Sequence, residues 1–217
     1  MKIVPAILSD NFNDFLLKIK QAETFADYVQ IDLMDGVFVP TASFPAAKLN
    51  DLTTKVSFEL HLMVKHPSAF IMQIDNPMLK KVIFHVESDV KHRSFIRQMN
   101  KRGIDSGIAI NPESDIESFK VLAAHVTTLL FLTVDPCCYG NPFKPEVLKK
   151  VELSRKLFPD KMISVDGGVS FDNLKKFLNL GVDSVCIGSR IFLNGDPADN
   201  YKLFVKKIKE IETDYAT

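Results

Sequence analysis

The chain has 217 residues and 46% of them are apolar, which is typical of a large globular domain and excludes a disordered segment. Its 27 basic residues equal its 27 acidic residues in number, so net charge gives no reason to expect a nucleic-acid or membrane partner. No apolar run could span a bilayer, the N-terminus lacks a signal-peptide pattern, and the three cysteines form no disulfide framework, so we expect a cytoplasmic protein.

Short β-rich runs alternate with amphipathic segments from one end of the chain to the other. Eight runs are predicted to be strands, and they lie at residues 2–7, 27–34, 55–63, 81–87, 106–111, 127–135, 161–168 and 183–188. Helical patterns lie between them, at residues 13–25, 68–74, 91–101, 116–123, 145–157, 171–180 and 199–212. This alternation indicates the α/β class and predicts a single (β/α)8 TIM barrel over residues 1–217. A doubly wound open sheet uses the same alternation and stays the alternative.

Polar side chains interrupt the predicted strands near their carboxyl ends. Gln30 and Asp32 share one face of the second run, because side chains alternate along a strand. The same alternation places further ionisable groups at the ends of the third, fourth and seventh runs, and these are His61, His85, Glu87 and Asp166. In a barrel such ends converge on one mouth, where barrel enzymes place their chemistry. Taken singly, His61 would be a hydrogen-bonded core histidine and Asp166 a turn former, but their coincidence at equivalent strand ends favours a site.

Asp32, His61 and Asp166 suit two kinds of chemistry. Two carboxylates and an imidazole are suitable ligands for a divalent cation. Two carboxylates on opposite sides of a bound substrate can also exchange a carbon-bound proton, one removing it and the other returning one. A cation would act as a Lewis acid and stabilise the enediolate formed between those two steps.

Two glycine stretches follow the last two predicted strands. Gly167 and Gly168 close the seventh run, and Gly188 and Ser189 close the eighth. Barrels often bind phosphate at these two places through backbone N–H groups. The four residues therefore predict one phosphate site, and the alternative is that the glycines only permit tight turns between strand and helix.

A series of short motifs follows the chain from end to end: PAILSDNF, IDLMDGVFVP, ELHLMVKHP, FHVES, INPES, LTVDP, SVDGGV and IGSRIF. In these motifs the chain resembles the ribulose-phosphate 3-epimerase family, barrels of the ribulose-phosphate-binding type that use a divalent metal to invert a carbon next to a ketose-phosphate carbonyl. The resemblance implies that Asp32 and Asp166 are the acid/base pair and that both bind the metal together with His61. It also implies a substrate and phosphate site formed by Met34, Met63, Gly140, Gly167, Gly168, Gly188 and Ser189.

The chain departs from the family pattern at four places. Gln30 stands where the family has a metal-binding histidine, so metal affinity should fall or the preference should move from zinc toward magnesium or manganese, unless Gln30 contacts substrate instead. Ala6 replaces a serine, and Leu132 replaces a methionine. The sequence CCYG at residues 137–140 replaces a Gly-Phe-Gly-Gly loop, which removes glycines that let backbone N–H groups approach phosphate closely. We expect the two cysteines to be ordinary loop thiols.

Three functions fit these observations. The first is a metal-assisted epimerase of a ketose phosphate, with one weakly bound divalent metal ion (Zn, Fe, Mn, Co or Mg) and Gln30 as a further candidate ligand. The second is a barrel that binds a sugar phosphate or a partner protein but has lost efficient catalysis. The third is another phosphate-binding barrel enzyme, but proteins resembling orotidine-phosphate decarboxylase carry Asp-x-Lys-x-x-Asp at the second strand, and Met34 takes the lysine position here. We predict the first, in a homo-oligomer.

Overall fold

Eight parallel strands close into a barrel in the computed structural model, which describes residues 1–136 and 140–216. The strands are β1 (Lys2–Leu8), β2 (Tyr28–Met34), β3 (Ser57–Met63), β4 (Leu79–His85), β5 (Asp105–Ile110), β6 (Thr128–Leu132), β7 (Met162–Asp166) and β8 (Ser184–Ile187). Each strand pairs with its neighbours in chain order, and β1 also pairs with β8, with Val4 level with Cys186. The predicted TIM barrel is confirmed. The doubly wound alternative is excluded, because such a sheet keeps two unpaired edges.

Helices connect the strands. They are α1 (Phe12–Ala22), α2 (Pro67–Ile71), α3 (His92–Lys101), α4 (Lys120–Ala123), α5 (Val147–Leu157), α6 (Leu174–Asn179), α7 (Ser189–Phe192) and α8 (Pro197–Ala216), with 3₁₀ turns at Ala46–Asp51 and Ile116–Ser118. The Asn11 side chain begins α1 by accepting hydrogen bonds from the backbone N–H groups of Asn13 and Asp14, and the helix buries Phe15 and Ile19. Within the described residues, no helix has the length and apolarity needed to cross a membrane.

Alternating side chains divide the strands between two buried layers. Ile31 and Leu33 of β2 are fully buried with Phe15 of α1 in the large core between strands and helices. Inside the barrel lies a smaller apolar cluster, formed by Val4, Ala6, Ile83, Ala109, Leu130 and Cys186. Both faces of the sheet are therefore buried, and polar side chains on the inner face need partners.

The elements differ from the sequence prediction mainly at their ends. α8 is longer than the predicted 199–212, α6 is shorter than the predicted 171–180, and the predicted 116–123 helix is divided at Phe119 between a 3₁₀ turn and α4. The sequence does not predict α7, because its four residues are too few to show a helical period. Cys137 and Cys138 lie outside the described residues.

Candidate active site

Strand register brings four polar side chains together at the carboxyl end of the barrel. On β2, Gln30 precedes Asp32 by one inward position, and the pairing of β2 with β3 sets Asp32 level with His61. Asp166 is the last residue of β7. A cavity of about 450 Å³ is lined by Asp32, His61 and Asp166, among others. The structure therefore places the residues predicted to be catalytic and metal-binding at one mouth.

Asp32, His61 and Asp166 form a compact group. One potential ligand atom from each lies within 4.8 Å of the others. His61 Nδ1 is 3.0 Å from Asp32 Oδ1 and 3.4 Å from Asp166 Oδ2. His61 is fully buried, and the side chain of Asp166 is only 14% exposed. Two carboxylate oxygens and one imidazole nitrogen facing a common point fit a divalent cation with positions left for substrate or water.

Gln30 lies beside these three residues with its amide nitrogen toward the carboxylates. Its Nε2 donates to Asp32 Oδ1 at 2.8 Å and to Asp166 Oδ2 at 2.7 Å. Its Oε1 accepts from the thiol of Cys186 at 3.1 Å. An amide nitrogen offers no lone pair to a metal, so a ligand role for Gln30 requires the amide to turn over and give up both charge-assisted bonds. That role stays a prediction.

The buried charges shift each other's titration. Burial alone would lower the pKa of His61, but its hydrogen bonds to Asp166 and Asp32 raise that pKa to about 9. Burial raises the pKa of Asp32 to about 6, although the hydrogen bond from His61 opposes that change. In the metal-free centre, His61 is therefore held as an imidazolium beside a carboxyl group whose pKa is raised.

His85 and Glu87 lie behind His61. His85 Nε2 is 3.0 Å from His61 Nε2, and His85 Nδ1 is 3.1 Å from Glu87 Oε2. Burial lowers the pKa of His85 to about 4, so this ring is neutral. Burial would raise the pKa of Glu87, but hydrogen bonds from His85 and Ser114 outweigh it and lower that pKa. Glu87 is therefore a carboxylate. The sequence placed His85 and Glu87 on one strand face, but it did not assign them to the site.

The predicted phosphate residues line the same cavity as the carboxylates. The cavity is bordered by Gly140, Gly167, Gly168, Gly188 and Ser189. Across the described part of the chain, the backbone N–H groups of the last four make no hydrogen bond with protein, so they are free to bind an anion. Gly167 and Gly168 also have φ angles of 93° and 62°, which only glycine adopts without strain. These φ angles also support the alternative that the glycines permit tight turns between strand and helix.

Of the two methionines predicted to contact substrate, one lines the cavity and the other does not. Two cationic residues that line the cavity were not predicted from the sequence. Met63 lines the cavity, whereas Met34 does not and packs with Val39 and Met63 in a small apolar cluster. Lys176 and Arg190 line the cavity, and neither forms an ion pair within residues 1–136 and 140–216. The signal that could have found Arg190 is its place directly after Gly188 and Ser189, in the IGSRIF motif.

The fold and the site define a (β/α)8 barrel enzyme with a carboxylate and imidazole centre suited to a divalent cation. The sequence profile of the ribulose-phosphate 3 epimerase family matches residues 2–192, and the chain belongs to that family. Membership makes the protein an isomerase of the sugar-phosphate epimerase class. The family and the enzyme class that the sequence predicted are confirmed.

Similar proteins match this chain over most of their own length. The ribulose-phosphate 3-epimerase of Helicobacter pylori is 34% identical over 204 residues, which are 90% of this chain and 93% of that protein. The ribulose-phosphate 3-epimerase of Schizosaccharomyces pombe is 28% identical over 91% of this chain and 90% of its own length. The cytoplasmic isoform of ribulose-phosphate 3-epimerase from Oryza sativa subsp. japonica is 29% identical over 96% of this chain and 94% of its own length.

Solved structures with lower sequence identity share the fold. The orotidine 5′-monophosphate decarboxylase from Sulfolobus solfataricus has a TM-score of 0.66 at 13% identity, over 97% of this chain and 98% of that chain. The phosphoribosyl anthranilate isomerase from Thermococcus kodakaraensis has a TM-score of 0.67 at 14% identity, over 95% of this chain and 98% of that chain. At such low identity, these likenesses concern the fold alone.

Proposed function

We propose that this protein is a metal-assisted epimerase of a ketose phosphate, with Asp32 and Asp166 transferring the proton through an enediolate. The observation that carries the proposal is the meeting of Asp32, Asp166 and His61 within 4.8 Å at the mouth of the barrel. The similarity to proteins named ribulose-phosphate 3-epimerase supports the same reaction type. Inversion of a carbon next to a carbonyl needs one group to remove a proton and another to return one on the opposite side.

The donor set fits a divalent metal ion. Asp32 and Asp166 offer carboxylate oxygens, and His61 offers Nδ1 on the same side. When bound, the ion would supply Lewis-acid stabilisation of negative charge on the substrate oxygens. Because Gln30 faces the centre with N–H groups, three protein ligands are the natural set in this arrangement. Fewer ligands favour the weak binding that the sequence predicts.

The protein's own groups account for the proton transfers. In the metal-free centre, burial raises the pKa of Asp32 above that of an exposed carboxyl, which makes this carboxylate a stronger base for removing a proton. Asp166 is the second carboxylate of the group, with a ligand atom within 4.8 Å of those of Asp32 and His61, and we assign it the proton transfer on the other face of the substrate. Gln30 donates to one oxygen of each carboxylate and so holds both side chains in place for the reaction.

The phosphate of the substrate would bind at the glycine end of the cavity. Gly167, Gly168, Gly188 and Ser189 offer backbone N–H groups that have no protein partner within the described residues. The cationic side chains of Lys176 and Arg190 line the same cavity. A phosphate held there would bring the sugar into the cavity that Asp32 and Asp166 also line.

Exchange of substrate hydrogen with deuterated solvent tests the proposal. With metal supplied, the protein should exchange the C3 proton of a ketose phosphate, and Asp32→Asn and Asp166→Asn should each reduce that rate by about 10²–10⁴-fold. Asp172→Asn is the matched control, because Asp172 lines the same cavity outside the metal-ligand group. Thermal denaturation should show that all three variants fold. Exchange at the native rate in either first variant would remove that residue from the role.

One observation favours the second candidate, a sugar-phosphate-binding barrel with impaired catalysis. Gln30 donates a hydrogen bond to one oxygen of each carboxylate, and an oxygen engaged in such a bond is less available to take a proton from substrate. A protein that binds the ketose phosphate and metal but exchanges no proton would support this candidate instead.

A further inference from the structure

A chain of buried hydrogen bonds leads from His61 away from the two carboxylates. His61 Nε2 lies 3.0 Å from His85 Nε2, and His85 Nδ1 lies 3.1 Å from Glu87 Oε2. Both histidines are fully buried, so each ring nitrogen depends on these partners for its hydrogen bond. The centroids of the two rings are 5.1 Å apart, and their planes are inclined by 26°.

Glu87 determines the direction of every hydrogen bond in the chain. Its Oε1 already accepts from the backbone N–H of Asn111 at 3.1 Å and from the hydroxyl of Ser114, as an ionised carboxylate does. Its Oε2 therefore accepts from His85, and Nδ1 of His85 carries the proton. The Nε2 of neutral His85 then has a free lone pair, which accepts from Nε2–H of His61.

We propose that His85 and Glu87 are positioning residues that fix the tautomer of His61, so that Nδ1 is the nitrogen offered to a divalent cation. With a proton fixed on Nε2, the lone pair of neutral His61 is on Nδ1, at 3.0 Å from Asp32 Oδ1 and 3.4 Å from Asp166 Oδ2. The opposite tautomer would put a proton on Nδ1, where the metal should bind. This inference rests on the metal site of the proposed function.

The zinc affinity of the purified protein, measured by competition with a chromogenic chelator, tests the role of His85 and Glu87. Glu87→Leu and His85→Phe should each weaken zinc binding by about 10- to 100-fold, because each removes an acceptor that fixes the tautomer. Glu87→Gln has one acceptor oxygen, which cannot serve both His85 and the backbone N–H of Asn111, so its zinc affinity should lie between that of Glu87→Leu and that of the native protein. Glu113→Gln is the matched control, because Glu113 lies on the same loop as Ser114 and pairs with Lys144 instead. It should stay within twofold of the native value.

Nitrogen-15 NMR spectra of native protein with labelled histidines give a second readout, which requires no substitution. We expect protonated Nδ1 and unprotonated Nε2 in His85, and protonated Nε2 in His61 with or without zinc. A proton on Nε2 of His85, or native zinc affinity in a folded Glu87→Leu variant, would overturn the proposal. If the native protein binds no zinc, the metal-assisted function fails, whereas the spectra still decide the tautomers.

Discussion

Replacing Gln30 by histidine should tighten divalent metal binding at least tenfold, which corresponds to about 1.4 kcal/mol. The amide nitrogen of Gln30 lies 2.8 Å from Asp32 Oδ1 and 2.7 Å from Asp166 Oδ2, so a side chain at this position reaches the centre of the site. An imidazole there would add a protein ligand to two carboxylates and His61. The change also removes two charge-assisted hydrogen bonds from the metal-free state, each worth about 1.5–3 kcal/mol, so metal should stabilise the variant more than the native protein.

Titration calorimetry of chelator-treated protein with Zn²⁺ and with Mg²⁺ measures this effect. Gln30→Leu is the control, because it removes the same two hydrogen bonds without adding a ligand. The histidine variant should raise the preference for Zn²⁺ over Mg²⁺, since imidazole suits zinc and magnesium prefers oxygen, and the leucine variant should leave that preference unchanged. The reasoning is refuted if the histidine variant binds Zn²⁺ within twofold of the native protein, or if leucine produces the same change in preference.

Two further predictions concern stability. The pKa of His61 is raised from 6.5 to about 9 in the folded protein. Its contribution to the free energy of unfolding is therefore complete below pH 6.5 and is lost as the pH rises through 9. Urea denaturation of metal-free protein should show a loss on the order of 3 kcal/mol between these pH values, and equal stability at both would contradict a charged His61. Gly167→Ala should cost about 3 kcal/mol in thermal denaturation, because the new Cβ would overlap the side chain of Val134 at a φ of 93°. Gly103→Ala, at a φ of 69° with nothing within 4 Å, should cost only about 1 kcal/mol, and equal costs would show that the contact with Val134 is not limiting.

The candidate metal centre could be predicted from the sequence because strand alternation is a local property. Asp32, His61 and Asp166 each lie near the carboxyl end of a strand, on the face opposite the aliphatic residues. Parallel strands in one barrel bring such ends to one mouth, so three separate positions in the sequence predict one site. Closure of the barrel could not be predicted from local patterns. It depends on β1 pairing with β8, and an alternation of strands and helices also fits an open sheet.

The sequence by itself determined the α/β class, the family, and the face of β2 on which Gln30 and Asp32 lie, because period-two patterns and motifs are contained in neighbouring residues. Only the tertiary structure decided which end of the Gln30 amide meets the carboxylates, since that depends on the thiol of Cys186, 156 residues away. It also decided that His85 and Glu87 lie behind His61. A strand pattern gives the face of a side chain, whereas the direction of a buried hydrogen bond is set by partners from other strands that the fold brings together.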